Sequence, residues 1–131
     1  MNPPATGAHH PWMPARRPGG RPPFAPRFRV LIHYQLHDVW ERLRDRVGTA
    51  SAQQFWDHVA VEPGRPPRIN SATVLRGARG RPLESGFSRS IHYEVSGAAR
   101  IDYQFNPRWI GPAGGDEYGI VVIVQITLGS H

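Results

Sequence analysis

Residues 88–106, SRSIHYEVSGAARIDYQFN, contain two short runs in which apolar and polar side chains alternate, joined by a turn at Ser96–Gly97. A period of two places the apolar side chains of each run on one face, which predicts a β-hairpin. The apolar positions are Ile91, Tyr93, Val95, Ile101, Tyr103 and Phe105. The polar positions include Arg89, His92, Glu94 and Arg100, where a plain half-buried hairpin has Thr, Ser or Lys. The hairpin is therefore the first candidate for a functional site.

The segments before the hairpin predict one strand and two helices. Residues 28–34, FRVLIHY, alternate and predict a strand. Helical spacing over residues 36–47 predicts a helix that ends at Gly48, with a buried side formed by Leu36, Trp40, Leu43 and Val47. Ser51 and Gln54 form a capping-box pattern that predicts the start of a second helix, which the proline-rich EPGRPPR ends.

The last strand is expected at the centre of the sheet. Residues 120–128, IVVIVQITL, are apolar at almost every position, which is typical of a strand that is covered on both faces. The element order is then strand, helix, helix, and three or four strands, which predicts an α+β domain with both helices on one sheet face. The polar side chains of the hairpin would lie on the other face, where we expect the functional site.

Composition favours a soluble, cytoplasmic protein with a polyanionic partner. The 131-residue chain has no Cys, which argues against a disulfide scaffold or a Cys₂His₂ zinc site. It has neither an apolar run of about 20 residues nor an apolar N-terminal segment, so no membrane span or secretory signal is predicted. All 16 basic residues are Arg and the net charge is +6, which favours nucleic acid or an acidic protein as partner. The alternative is a basic surface without function. The codon bias of a GC-rich genome would then explain part of the Arg content.

Residues 1–26 differ in composition from the rest of the chain. They hold eight of the 14 Pro and no acidic residue, which predicts a disordered Pro/Arg-rich arm. Arg16, Arg17 and Arg21 would make the arm either an electrostatic tether to nucleic acid or a dispensable tail. A single folded domain is predicted over residues 27–131.

The chain resembles the RelE/ParE superfamily, the toxic half of bacterial type II toxin–antitoxin pairs. The resemblance lies in the loop with Leu75 and Gly77, the strand 88–95, the turn, and RIDYQF at residues 100–105. It implies a strand, two helices and a twisted three- to four-stranded antiparallel sheet. It also implies a metal-independent endoribonuclease, an mRNA interferase without cofactor. Its expected partners are RNA, in some members the ribosome, and a cognate antitoxin that is acidic and partly disordered.

The resemblance also implies roles for individual residues, with the RelE/YoeB-like branch as the nearer match. Arg100, which opens the second hairpin strand, would hold the scissile phosphate. His92 and Glu94 would supply acid–base chemistry from the preceding strand, and His131 matches an assisting C-terminal His by position. The basic loop would bind RNA through Arg76, Arg79, Arg81 and Arg89.

These residue types suit RNA cleavage by the 2′-hydroxyl. The reaction needs a base near that hydroxyl, an acid at the leaving 5′-oxygen and a cation at the phosphate, which imidazole, carboxylate and guanidinium can supply. His92, Glu94 and Arg100 would meet on the open face if both apolar sets of the hairpin face the helices. Arg89 shares parity with Ile91 and would reach that face only from a bulge or a strand end.

Three alternatives stay open from the sequence. The chain could resemble the ParE branch and inhibit DNA gyrase without catalysis. It could also be a non-toxic basic module that binds RNA or protein. Finally, His92, Glu94, Arg100 and Asp102 could form only a cross-strand ion network, in which each pair contributes less than about 1 kcal/mol.

Overall fold

A computed structural model describes residues 11–68, 70–111 and 114–129 of the chain. Two 3₁₀ turns, Tyr34–Leu36 and Gly77–Gly80, accompany the regular elements. In chain order these elements are β1 (Trp12–Pro14), β2 (Phe28–His33), α1 (His37–Val47), α2 (Thr49–Val61), β3 (Ala72–Val74), β4 (Ile91–Val95), β5 (Ala99–Trp109) and β6 (Tyr118–Leu128).

The strands form one mixed sheet of six, in the order β1-β2-β6-β5-β4-β3. Strands β2 and β6 run parallel, with Phe28 opposite Gly119 and Ile32 opposite Ile123, and the other pairs are antiparallel. The predicted sheet of three to four antiparallel strands is therefore wrong in strand number and in direction. The two additional edge strands have three residues each, too few for an alternating pattern to stand out.

The two helices follow each other without a linker. Gly48, at a φ of 89°, ends α1 and also precedes the first residue of α2, and its carbonyl accepts from Ala52 N at 3.1 Å. A positive φ favours glycine, which lets the chain change direction within one residue. The helix start predicted at Ser51 is wrong, because α2 begins at Thr49 and has no side-chain cap.

Both helices pack on one face of the sheet and form the core there. Phe55 of α2 meets Tyr93 and Tyr103 edge-on, at ring distances of 5.0 and 5.8 Å. Both apolar sets of the hairpin belong to this core, together with Ile32, Trp40, Leu43, Val59, Val121 and Ile123. The predicted central position of the last strand is confirmed, since β6 lies between β2 and β5 and is buried from Ile120 to Ile123.

The core tyrosines of the hairpin use their hydroxyl groups for structure. Tyr103 donates to the carbonyl of Pro63 at 2.6 Å, and the Tyr93 hydroxyl accepts from Asn70 Nδ2 at 3.0 Å. Burial raises the pKa of both phenols above the ordinary value of tyrosine. Both side chains therefore stay neutral and act as packing residues.

Residues 15–20, here called the strap, lie across the two helices. Its carbonyls accept hydrogen bonds from three helix side chains, namely Trp56 Nε1 to Ala15 O at 2.8 Å, Trp40 Nε1 to Arg16 O at 3.1 Å and Gln53 Nε2 to Pro18 O at 2.8 Å. Arg17 also forms a two-pronged ion pair with Asp57 at 2.7 and 3.0 Å. The sequence predicts disorder throughout residues 1–26. Residues 1–10 lie outside the described residues, whereas residues 12–20 form β1 and the strap with these specific contacts.

Deletion of residues 1–26 is expected to lower the free energy of unfolding by at least about 2 kcal/mol. Three helix side chains would lose their hydrogen bonds to the strap, each worth about 0.5–1.5 kcal/mol, and the core under Ala15 would be exposed to water. The strand β1 and the Arg17–Asp57 pair would be lost as well. Urea denaturation measures the change, and deletion of residues 2–10 alone serves as the control. Equal midpoints for the two truncated chains would contradict a structural role of the strap.

Candidate catalytic site

The register of the hairpin is set by a three-residue loop. Ser96 and Gly97 have φ values of 51° and 76°, and Ala98 N donates to Val95 O at 3.2 Å, which closes a tight turn. Val95 pairs with Ala99 across this loop, so Glu94 lies opposite Arg100. This register keeps both apolar sets on the helix side and leaves the polar side chains on the opposite face, here called the open face.

His92 and Asp102 form the closest polar contact on the open face. They are direct cross-strand neighbours, and His92 Nδ1 lies 2.5 Å from Asp102 Oδ1. The carboxylate side chain is 11% exposed and the imidazole 25% exposed. A carboxylate acceptor fixes the proton on Nδ1 and turns Nε2, on the far side of the ring, away from the contact. The pair therefore orients an imidazole whose Nε2 is available for proton transfer.

Arg100 and Glu94 form a looser pair beside it. The distance between Arg100 Nη2 and Glu94 Oε2 is 3.5 Å, and Ser71 Oγ donates to Glu94 Oε1 at 3.1 Å. Their side chains are 35% and 43% exposed, so solvent reaches both groups. An ion pair of this kind contributes at most about 1 kcal/mol to stability. Both groups can exchange this contact for a ligand at little cost.

The structure thus brings together three of the predicted site residues, His92, Glu94 and Arg100, and adds Asp102. Asp102 was considered in the sequence only as part of an ion network. The sequence does indicate the face on which Asp102 lies. Asp102 alternates with the apolar Ile101 and Tyr103, which places it on the open face. Its position opposite His92 also depends on the length of the hairpin loop, which the sequence does not fix.

The predicted RNA-binding arginines have two different environments. Arg89 is used within the structure, because its guanidinium donates to Leu75 O at 2.9 Å and Gly77 O at 2.6 Å and so holds the basic loop in place. The other three, Arg76, Arg79 and Arg81, are exposed on that loop. The loop is attached to the strand that carries His92, since Ser90 N donates to Gly80 O at 3.0 Å. His131 lies outside the described residues.

The comparisons with known proteins add no relative. A scan of family models, a search of curated proteins and a search of solved structures each found no match to this chain. Within the described ranges, no group of three or more His, Cys, Asp or Glu residues could hold a metal ion. No helix in the described part of the chain has the length and apolar character that a membrane span requires. A function for the chain is therefore inferred from the arrangement of its own side chains.

The other half of the open face is covered by the segment 81–87. Gln104, which is buried, holds this segment by donating to Arg81 O at 2.9 Å and by accepting from Leu83 N at 2.9 Å. The covered half encloses an apolar cavity of about 110 Å³, lined in part by Trp12, Leu31, Leu83, Phe87, Trp109 and Ile120. The segment therefore forms a wall beside the polar site.

Gln104→Ala is expected to release this wall. Three hydrogen bonds would be lost, to Arg81, Leu83 and Ser90, and the carbonyl and N–H groups left behind cost about 2 kcal/mol of stability together. Limited digestion with a glutamate-specific endoproteinase should cut faster after Glu84, which lies within the segment, in this variant. Gln125→Ala, at an exposed position of the same sheet face, is the control. Equal cleavage rates for the two variants would show that Gln104 does not hold the segment.

Proposed function

We propose that this protein is a metal-independent endoribonuclease that cleaves single-stranded RNA through the 2′-hydroxyl. The observation that carries this proposal is the placement of two proton-transfer groups on one strand, each with its own partner from the neighbouring strand. Glu94 and His92 are two residues apart on β4, and they face Arg100 and Asp102 on β5. Side chains two residues apart on a strand are separated by roughly 7 Å, which leaves room for a phosphate between them.

The proposed reaction is an in-line displacement at that phosphate. The Glu94 carboxylate takes the proton of the 2′-hydroxyl, and the bond from the 2′-oxygen to phosphorus forms as the bond to the 5′-oxygen breaks. Nε2 of the His92 imidazolium gives its proton to the leaving 5′-oxygen. The products are a 2′,3′-cyclic phosphate and a 5′-hydroxyl end. Base and acid would thus act from opposite sides of the phosphate, as an in-line displacement requires.

Arg100 and Asp102 would support these two proton transfers without transferring protons themselves. The Arg100 guanidinium lies beside Glu94 and can donate to the phosphate oxygens, on which charge increases in the transition state. Asp102 holds the ring of His92 in one orientation, with Nε2 turned away from the contact. The four residues would thus provide a base, an acid, a cation and an orienting group.

The biological role that we propose is that of a toxin in a bacterial toxin–antitoxin pair, acting on mRNA in the cytoplasm, in association with ribosomes. It is supported by the resemblance of the hairpin to the RelE/ParE superfamily and by the net charge of +6. The exposed Arg76, Arg79 and Arg81 would contact RNA phosphates. An acidic, partly disordered antitoxin would neutralise the protein by covering this basic surface.

The proposed activity is tested with purified protein, single-stranded RNA and mRNA-loaded ribosomes, with EDTA present. The expected result is new RNA ends that carry a 2′,3′-cyclic phosphate, and no cut at a nucleotide whose 2′-hydroxyl is replaced by hydrogen. In cells, brief induction should stop growth and generate new mRNA 5′ ends. Growth arrest without new ends would reject the endoribonuclease and favour a protein target such as DNA gyrase.

A further inference from the structure

An aromatic cluster lies at the sheet edge formed by β1 and β2. The strand β6 separates this edge from the hairpin. The His33 ring stacks on Tyr34 at 4.8 Å with an interplanar angle of 24°, and Trp12 meets His33 edge-on at 5.5 Å. Gln35 N donates to His33 Nδ1 at 3.2 Å, which fixes the orientation of the ring. Tyr34 is 58% exposed, unusual for a large aromatic side chain that is already stacked on one side. The cluster therefore exposes the Tyr34 ring to solvent, while the stacked His33 ring holds it in place.

Strand register places this cluster on the same level of the sheet as the His92–Asp102 pair. Asp102 pairs with Gln125 of β6, and β6 lies beside β2. Strand β2 ends at His33, one residue after the pair of Ile32 with Ile123, and His33 pairs with Trp12. Because His33 follows the buried Ile32, its side chain faces the open side. A row of open-face positions thus crosses the strands from His92 to Trp12.

The length of this row matches a short RNA strand. Three strand spacings separate β4 from β2, a distance of roughly 14 Å. At about 3.4 Å per nucleotide in a stacked strand, four nucleotides span that distance, and fewer do so when the strand is extended. The aromatic cluster is therefore within reach of the bases that flank a phosphate held at Arg100.

The strands of the row carry no unpaired carboxylate. The strands β1, β2 and β6 contain no Asp or Glu, and the two acidic residues of the row's other end, Glu94 and Asp102, are each paired with a basic partner. Gln125 and Thr127 are exposed between the two ends and can form hydrogen bonds. The wall segment on one side exposes both Arg81 and Glu84, whose charges offset each other. Aromatic side chains on which bases stack are typical of proteins that bind single-stranded nucleic acid.

From this arrangement we infer that single-stranded RNA crosses the open face perpendicular to the strands, with its scissile phosphate between Glu94 and His92 and a flanking base stacked on Tyr34. The inference rests on the proposed endoribonuclease function and extends it, because it assigns a stacking subsite to the edge of the sheet. It predicts that the protein binds free RNA by itself, over several nucleotides and with little sequence preference.

The test measures binding separately from cleavage. A fluorescent RNA octanucleotide with 2′-O-methyl groups at every position cannot be cut by the proposed reaction, and its fluorescence anisotropy reports the dissociation constant. Tyr34→Ala should weaken binding roughly tenfold, since one base loses its stacking partner. Tyr34→Trp should retain the binding of the unmodified protein. The control is Ile110→Ala, which removes another exposed apolar side chain away from the row.

Cleavage of a dinucleotide and of an unmodified octanucleotide gives the second measurement. The dinucleotide does not reach Tyr34, so Tyr34→Ala should cut it at the unmodified rate while the KM for the octanucleotide rises. Equal octanucleotide affinity for Tyr34→Ala and Ile110→Ala, or no binding by the unmodified protein, would overturn the inference. Tyr34-dependent binding without cleavage would instead retain the RNA path and reject the proposed endoribonuclease.

Discussion

Arg100→Ala should leave the protein folded and lower the rate of RNA cleavage at saturating substrate at least about a hundredfold. A preorganised donor that meets charge formed in the transition state contributes a factor of this size or larger. The effect on folding should be small, because the Arg100–Glu94 contact is 3.5 Å long and both side chains reach solvent. Single-turnover cleavage measures the rate, and urea denaturation measures the stability of the same sample.

Arg108→Ala is a matched control for this substitution. Arg108 also forms an ion pair with a glutamate, Glu117, which immediately precedes β6; the distance is 3.3 Å and the Arg108 side chain is 77% exposed. Each of the two variants thus loses one positive charge. They differ in that only Arg100 lies beside the proposed scissile phosphate. Arg100→Lys should recover part of the rate, since it restores the charge without the two-pronged donor geometry. Cleavage by Arg100→Ala at the rate of Arg108→Ala would exclude the phosphate role.

The helices and the hairpin could be predicted from the sequence because each has a local period. Trp40 and Leu43 are at helical spacing, and Tyr93 and Tyr103 alternate with polar residues, so burial of each side chain follows from its neighbours in sequence. The parallel pairing of β2 with β6 has no local signal, because it joins residues 91 positions apart, such as Phe28 and Gly119. The strand β1 also has no local signal in the sequence, since it depends on a partner strand and on the helix side chains that hold the strap.

The candidate site was only partly predictable for a similar reason. Alternation alone places His92 and Glu94 on one face of β4, but the register across the hairpin decides which partner each one meets. That register follows from the three-residue loop, which places Asp102 opposite His92 and Arg100 opposite Glu94. Arg89 shows the opposite effect, because a basic side chain next to the site turns to loop carbonyls instead. Residue type indicates which side chains could take part in the proposed chemistry, and tertiary contacts determine which of them are available.

His92→Gln should lower cleavage by roughly 10²- to 10⁴-fold, the usual contribution of a positioned general acid. A glutamine amide can still donate to Asp102, so the buried carboxylate keeps a partner and the fold should persist. Single-turnover cleavage measures the rate of each protein.

His37→Gln is the control, because His37 lies near two carboxylates, Asp38 at 3.7 Å and Glu41 at 3.9 Å, but on α1, away from the open face. His37→Gln should keep the cleavage rate of the unmodified protein. Binding of the 2′-O-methyl octanucleotide should be equal in both variants, because the proposed role of His92 is proton transfer. If His92→Gln kept the full rate, the contact between His92 and Asp102 would serve only to join the strands β4 and β5.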